Sequence, residues 1–247
     1  MNNVQAVLKF AAVPAIAVVT GGALASIGAP GPRLRSAVQH IAAGVLFAAL
    51  GTELLPDVMH RALPWMTLLG FSLGVACMLA LKALAQRLEA RPDKTAPAST
   101  SRTARLPVSL LLVSGIDILV DGLLIGISFA AGERQGLLLT IALTLEVAFL
   151  GVATASAIEG ERATRRVIGA SVLFATLLMV GAGVGSFFLQ GASIATLDVV
   201  MSFGMAALLY LVTEELLTEA HEVPETAALT AMFFVGFVAL LMIEMFM

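Results

Sequence analysis

Charged residues and cysteine are both scarce in this sequence. Only 13% of its 247 residues are charged, whereas soluble domains carry about 25%, so there is too little charge to cover a water-exposed surface. The single cysteine, Cys77, excludes an internal disulfide framework. Lys and Arg total 14 against 17 Asp and Glu, a formal net charge of −3. The basic surface typical of nucleic-acid-binding proteins is therefore absent.

Apolar residues dominate instead. They make up 59% of the chain, and the mean hydropathy is +0.99. A helix needs about 20 apolar residues to cross a hydrocarbon core, and eight stretches approach or exceed this length. They cover 4–28, 36–55, 63–82, 107–131, 135–158, 166–188, 194–217 and 226–246. The sequence predicts an all-α polytopic membrane protein of about eight transmembrane helices, with a signal peptide as the alternative for the first stretch.

One long polar stretch, residues 83–106, separates the third span from the fourth. We predict that it is a flexible loop within a single transmembrane domain that covers residues 1–247. Eleven Lys and Arg fall on the side of this loop, and only Lys9, Arg61 and Arg134 fall on the other. The positive-inside rule then places the loop in the cytoplasm and both termini outside. For a protein of a bacterial inner membrane, outside is the periplasm.

Carboxylates inside the spans are the candidate functional residues. A charged side chain at mid-bilayer costs about 2.5–3.5 kcal/mol on insertion scales, so each needs a partner. Asp117 and Asp121 in the fourth span lie one turn apart and share a face. Such neighbours repel unless a proton, a water molecule or a divalent cation lies between them. The candidate set is completed by Glu146 in the fifth span, Glu53 in the second and Glu215 in the seventh.

Other ionisable residues are expected to have structural roles. Asp198 and Glu244 lie near span ends and are expected at the membrane interface. His40 is expected to pack at a helix end, and His60 and His221 to lie on the surface. As a secondary hypothesis, His221 could collect metal together with Glu219 and Glu222.

Two spans carry related sequences. The second ends in Thr52-Glu53-Leu54-Leu55-Pro56-Asp57, with a break predicted at Pro56-Asp57, and the seventh in Glu214-Glu215-Leu216-Leu217-Thr218-Glu219. Because these spans cross in opposite directions, the recurrence predicts a 3+2+3 inverted repeat around spans four and five. Secondary transporters commonly bind substrate at such an interface. Gly70 with Gly74, and Gly122 with Gly126, also have the spacing that lets helices approach closely.

These segments resemble the ZIP (Zrt/Irt-like) divalent-metal transporters, especially bacterial and GufA-like members. Residues 117–122, Asp-Ile-Leu-Val-Asp-Gly, stand in the register of the family's His-Asn-x-Pro-Glu-Gly motif, and residues 146–151, Glu-Val-Ala-Phe-Leu-Gly, in that of His-x-x-Pro-Glu-Gly. Residues 53–57 and 215–221 are similar to the ends of the family's second and seventh spans. The resemblance covers nearly the whole chain. It implies eight spans, both termini outside, a variable cytoplasmic loop and a homodimer.

Carboxylates stand where the family has metal-binding histidines, and Val120 and Phe149 replace the two motif prolines. The resulting all-oxygen site favours hard ions such as Mn²⁺, Mg²⁺ or Ca²⁺, although zinc also binds carboxylates. Its predicted metal ligands are Asp117, Asp121, Glu146, Glu53 and Glu215. The predicted function is transport of a divalent metal cation by alternating access, with protons moving alongside. The metal is the substrate and not a resident cofactor.

Two other function classes remain open. A non-transporting ZIP-like protein would act as a sensor or a regulator of another membrane protein, which the replaced histidines and prolines favour. An intramembrane aspartyl hydrolase is the enzymatic alternative. Asp117 and Asp121 lie on one helix, however, whereas a proton-sharing dyad usually joins two elements. We therefore predict that the chain is not an enzyme and that its partners are lipid, a divalent metal ion and protons.

Overall fold

The computed structural model describes residues 3–28, 30–89, 108–158, 163–189 and 191–246, and within these ranges the regular structure is entirely helical. The helices are α1 (Asn3–Ile27), α2 (Pro32–Ala49), α3 (Leu55–Arg61), α4 (Pro64–Glu89), α5 (Val108–Ala131), α6 (Glu133–Ala157), α7 (Ala163–Phe188), α8 (Ile194–Tyr210), α9 (Leu217–Ala220) and α10 (Ala227–Phe246). Two π-helical segments, Leu50–Leu54 and Leu211–Leu216, join α2 to α3 and α8 to α9.

Seven helical stretches among the described residues are long and apolar enough to cross a membrane. They are Val4–Ile27, Pro32–Arg61, Pro64–Leu84, Glu133–Ala157, Ala163–Phe188, Ile194–Ala220 and Ala227–Phe246. α5 is similar in length, and only Asp117 and Asp121 are charged in it. The prediction of an all-α chain is confirmed within the described residues. The eight predicted spans coincide with these seven stretches and with α5, which is consistent with a polytopic membrane protein.

Two predicted helix ends are wrong. The second span does not end at Pro56, since helix continues through the first π-helical segment to Arg61. Proline lacks an N–H group and its ring clashes with the carbonyl four residues earlier in a regular α-helix, and here a wider π-helical segment precedes Pro56. The predicted loop also begins too early, because α4 continues to Glu89. Residues 83–89 are mostly strong helix formers, and residues 90–107 lie outside the described ranges.

Consecutive long helices run in opposite directions, so the bundle has two ends. The terminal end is where α1 begins and α10 ends, and the loop end is where α4 ends and α5 begins. α1, α5, α6 and α7 pack on one another as a central group. α2 packs with α10, and α4 packs with α8. Contacts of α2 with α6 and of α8 with α5 join these two pairs to the central group.

Large apolar side chains cover the outside of α4 and α10. In an apolar stretch of 18 residues in each of these helices, only 17% of the residues are buried. Trp65, Leu73 and Phe234 are 78%, 51% and 61% exposed. A continuous apolar surface of this kind is a liability in water, but it is the surface that lipid requires. The architecture is that of a multi-pass membrane protein.

Glycines allow helix backbones to touch at the predicted positions. A Cβ atom at Gly70 or Gly74 of α4 would overlap backbone carbonyl groups of α8. A Cβ atom at Gly122 or Gly126 of α5 would overlap backbone carbonyl groups of α7. The close approach predicted from the four-residue spacing is therefore confirmed for both pairs.

Asp198 differs from the expectation for a residue near a span end. Its side chain is 0% exposed and accepts a hydrogen bond at Oδ2 from Thr67 Oγ1 of α4, at 2.9 Å. α8 begins at Ile194, only about 6 Å away along the helix axis. The packing of α4 against α8 therefore buries Asp198 although it lies near a span end. The sequence of α8 alone does not indicate which face α4 covers.

The contact between α2 and α10 gives a test of this packing. Gly236 of α10 faces the backbone of Ile41, where an added Cβ would overlap the carbonyl oxygen. We expect Gly236→Ala to force the helices apart and to lower the free energy of unfolding by about 1–3 kcal/mol. Thermal unfolding in detergent should show a lower Tm. Gly169→Ala is the matched control, because no atom lies within 4 Å of its added Cβ, and an unchanged Tm for both variants would contradict the packing.

Candidate metal centre

Three of the predicted site residues lie together where α5 packs against α6. Asp117 and Asp121 are on α5, and Glu146 is on α6. One carboxylate oxygen from each residue lies within 4.8 Å of those of the other two. Asp121 and Glu146 are 3% and 5% exposed, and Asp117 is half-buried. The face shared by Asp117 and Asp121 is the one that their spacing predicts, and the three residues are called the acidic centre below.

The helices that carry the acidic centre are held by close backbone contacts. Gly122 follows Asp121 and touches the backbone of Leu178 in α7, and Gly151 lies just beyond Glu146 and touches Val18 in α1. Both α5 and α6 are uninterrupted α-helices. They continue through the two positions where the motifs of the resembled family have proline. The carboxylates therefore project from rigid elements, which favours a defined ligand geometry.

Hydrogen bonds do not satisfy the acidic centre. Asp121 Oδ2 and Glu146 Oε2 are buried and have no hydrogen-bond partner among the described residues. Within the same part of the chain, no basic side chain lies within ion-pair distance of the three carboxylates. Buried carboxylates in a medium of low dielectric are costly unless a cation or proton compensates them. The centre is thus a group of buried carboxylates that a cation or protons would compensate.

The spacing of the three oxygens suits a single cation. Ca²⁺ lies 2.3–2.6 Å from its oxygen ligands, so two oxygens on opposite sides of it are about 4.6–5.2 Å apart. The three carboxylate oxygens of the acidic centre lie within 4.8 Å of one another, and this upper limit falls within the range for Ca²⁺. Mg²⁺ binds at 2.0–2.1 Å, which gives at most about 4.2 Å, so small inward movements of the side chains complete a Mg²⁺ site. The ligands are hard oxygens in either case.

A cavity leads from the acidic centre toward the loop end. Its volume is about 440 Å³, and Asp117 and Glu215 lie in its wall together with Arg35, Ser114, Glu219 and Glu222. A smaller cavity of about 110 Å³ also contains Asp117 and Glu215, beside Lys82 and Tyr210. Glu215, the predicted ligand from the seventh span, therefore faces the same space as Asp117. Its neighbour Glu214 is exposed and pairs with Lys82 at 2.8 Å.

Glu53, the remaining predicted ligand, is not part of the acidic centre. It lies in the first π-helical segment, 3.8 Å from Nε of Arg134. Arg134 stands twelve residues before Glu146 on α6, about 18 Å along the helix axis. Nη2 of Arg134 also lies 3.7 Å from Glu244 Oε1 and donates a hydrogen bond to the Glu244 carbonyl oxygen at 2.9 Å. The structure thus places Glu53 toward the terminal end, in an ion pair.

The histidines lie away from the acidic centre. His221 Nε2 lies 2.9 Å from Glu225 Oε1, and the His221 ring packs edge-on against buried His40. Glu219 accepts a hydrogen bond from Gln39 at 2.7 Å. Among the described residues, His221, Glu219 and Glu222 do not form a cluster that could hold a metal ion. His60 is exposed.

Two features of the site were not predicted from the sequence. Arg134 entered the sequence analysis only as a basic residue that helps to set the topology, yet it contacts two carboxylates from other helices. Gln39 was not considered, although it binds Glu219 beside the cavity. Both contacts join residues that are far apart in the chain, and no local motif marks them. A charged residue near a membrane-buried acid of opposite sign is the only signal that could have indicated the first.

Comparison with known proteins does not identify a family for this chain. No protein-family model matches the sequence, and no curated protein matches it either.

Proposed function

We propose that this protein transports a divalent metal cation across the membrane, with the acidic centre as the binding site. The observation that supports the proposal is the convergence of three carboxylates, within 4.8 Å, on two helices of a membrane bundle. The cavity toward the loop end offers the cation a path to and from this site. Intramembrane ionisable residues that face a cavity are typical of ion pathways.

The charge of the site favours a divalent ion accompanied by protons. Asp117, Asp121 and Glu146 carry three negative charges when ionised, and Glu215 adds a fourth beside the cavity. A divalent cation neutralises only two of them, so bound protons would compensate the rest in a medium of low dielectric. All the ligands are oxygens, which favours hard ions such as Mn²⁺, Mg²⁺ and Ca²⁺. Proton release on metal binding is then part of the transport cycle.

The packing of the helices supports a 3+2+3 inverted repeat. If α1 is exchanged with α7, α2 with α8, α4 with α10 and α5 with α6, each principal helix pair maps onto another pair or, for α1–α7 and α5–α6, onto itself. The α1–α6 pair corresponds to α5–α7, and α2–α10 corresponds to α8–α4. The two π-helical segments also fall on the two related sequences, at Glu53 and at Glu215. Two such halves can exchange conformations, which is the basis of alternating access in repeat-built transporters.

The distribution of basic residues supports an orientation with the loop end in the cytoplasm. Arg33, Arg35, Lys82, Arg87, Arg165 and Arg166 lie toward this end within the described ranges. The terminal end has Lys9, Arg61 and Arg134. Under the positive-inside rule both termini are then outside the cytoplasm. For a bacterial inner membrane, the location that we propose, this orientation places both termini in the periplasm.

Metal binding and uptake test the acidic centre. Asp121→Asn and Glu146→Gln each remove one charged ligand, so we expect metal uptake into proteoliposomes to fall by about tenfold or more. A metal at 100 times its Kd stabilises the folded protein by about 2.7 kcal/mol, and both variants should lose most of the corresponding rise in Tm. Mn²⁺, Mg²⁺, Ca²⁺, Zn²⁺, Cd²⁺ and Fe²⁺ are compared in both assays.

Asp57→Asn is the matched control for these variants. Asp57 pairs with Arg61 within α3, at 2.8 Å, so its loss should leave metal stabilisation and uptake near the parent values. Equal uptake and equal stabilisation for all four proteins would contradict the proposal. Metal stabilisation that depends on Asp121 but is not accompanied by uptake would favour a non-transporting sensor.

Cysteine labelling tests the orientation. In a Cys77→Ser background, Ser193→Cys places a thiol at the terminal end and Glu225→Cys places one at the loop end, and both positions are exposed. We expect a membrane-impermeant maleimide to label Ser193→Cys in intact spheroplasts. Glu225→Cys should react only after permeabilisation. The opposite pattern would place both termini in the cytoplasm.

A further inference from the structure

Arg134 holds two carboxylates together at the terminal end. Its guanidinium lies 3.8 Å from Glu53 Oε1 and 3.7 Å from Glu244 Oε1. Three separate elements meet here, because Arg134 is on α6, Glu53 is in the first π-helical segment and Glu244 is on α10. The contact therefore joins the central helix group to the α2–α10 pair. The two carboxylates thus form a position suited to a cation, and the guanidinium of Arg134 occupies it.

The guanidinium satisfies this position only in part. Both N···O distances exceed ordinary hydrogen-bond lengths. Glu53 is 7% exposed and accepts no hydrogen bond from any described residue. Oε2 of Glu244 is buried without a hydrogen-bond partner in the described part of the chain. One positive charge faces two negative ones, and carboxylate oxygens remain free to coordinate an ion.

The glutamates of the two related π-helical segments differ in their surroundings. Glu215 of the second segment faces the cavity of about 440 Å³ that contains Asp117. Glu53, its counterpart in the related sequence, is covered and paired with Arg134. The loop end is therefore open to the acidic centre while the terminal end is closed at the equivalent carboxylate. The Arg134 contact is what covers the carboxylate at the terminal end.

We propose that Glu53 and Glu244 form an outer cation-binding position, which Arg134 occupies in this conformation and an arriving divalent cation takes over. This inference rests on the proposed transport function and orientation. Two carboxylates with free oxygens bind a divalent cation more strongly than a monovalent one, because the Coulomb attraction doubles with its charge. Displacement of Arg134 removes the ion pairs that tie α6, which also carries Glu146, to the first π-helical segment and to α10. Cation arrival outside thereby opens the terminal end toward the acidic centre.

Thiol accessibility from the outside measures this opening. Ile125 is 0% exposed and lies one turn from Asp121 toward the terminal end, so Ile125→Cys in a Cys77→Ser background reports whether this end is open. We expect Arg134→Gln to raise the labelling rate by an impermeant methanethiosulfonate about 1.5-fold to fivefold, the range that corresponds to the loss of a partly exposed ion pair. Arg134→Lys should give a smaller rise, because a single ammonium replaces the two-pronged contact.

Arg61→Gln is the matched control, because Arg61 also lies toward the terminal end but, among the described residues, pairs only with Asp57 of its own helix. Its labelling rate should equal that of the parent. External Mn²⁺ should accelerate labelling of the parent, and Glu53→Gln should abolish that acceleration. An Arg134→Gln rate equal to the Arg61→Gln rate, or no effect of Mn²⁺ on the parent, would overturn the inference.

The two proposals fail separately. Normal metal uptake without an effect of Arg134→Gln would contradict the outer position alone. An effect of Arg134→Gln and of Mn²⁺ on labelling, without uptake, would contradict transport and leave the outer position intact.

Discussion

Negative charge without a basic side-chain partner is the constraint on which the interior of this protein depends. Asp117, Asp121 and Glu146 lie within 4.8 Å of one another, and two of their buried oxygens have no hydrogen-bond partner among the described residues. Some other acids of the spans have partners, although Asp198 Oδ1 and Glu244 Oε2 are also buried without a hydrogen-bond partner in the described part of the chain. Glu214 pairs with Lys82, Asp57 with Arg61, and Asp198 accepts a hydrogen bond from Thr67. The acidic centre differs because three carboxylates meet there, and a mobile cation or protons would compensate their charge.

Helix packing provides the rigidity that this centre needs. Contacts through glycine bring the backbone of α5 against α7, and that of α6 against α1, so the three carboxylates belong to one tightly packed group. The α2–α10 and α4–α8 pairs are tightly packed within themselves as well. Polar contacts such as Arg134 with Glu53 and Glu244 connect one pair to the central group. Such contacts exchange partners at lower cost than interlocked backbones do, which concentrates movement between the groups.

The fold could be predicted from the sequence more completely than the contacts between residues far apart in the chain. The thickness of the bilayer fixes the length of each apolar run, so the spans could be located within a few residues. The four-residue spacing of Asp117 and Asp121 fixed their common face, because helix geometry is local. Neither rule predicts the surroundings of Glu53 or Asp198. The partner of Glu53, Arg134, comes from a distant part of the chain, and the burial of Asp198 depends on α4. Pro56 misled the prediction, because proline usually ends a helix whereas here a π-helical turn precedes it.

The π-helical segments have a consequence for how a membrane helix can move. Hydrogen bonds in a π turn reach one residue further than in an α turn, so each segment stores one extra residue within a continuous helix. If that residue is passed along the helix, the side chains it passes turn by about 100°. Glu53 and Glu215 both lie in such segments. Their carboxylates can therefore change direction by a shift of hydrogen-bond register, without the unpaired backbone groups that lipid does not tolerate.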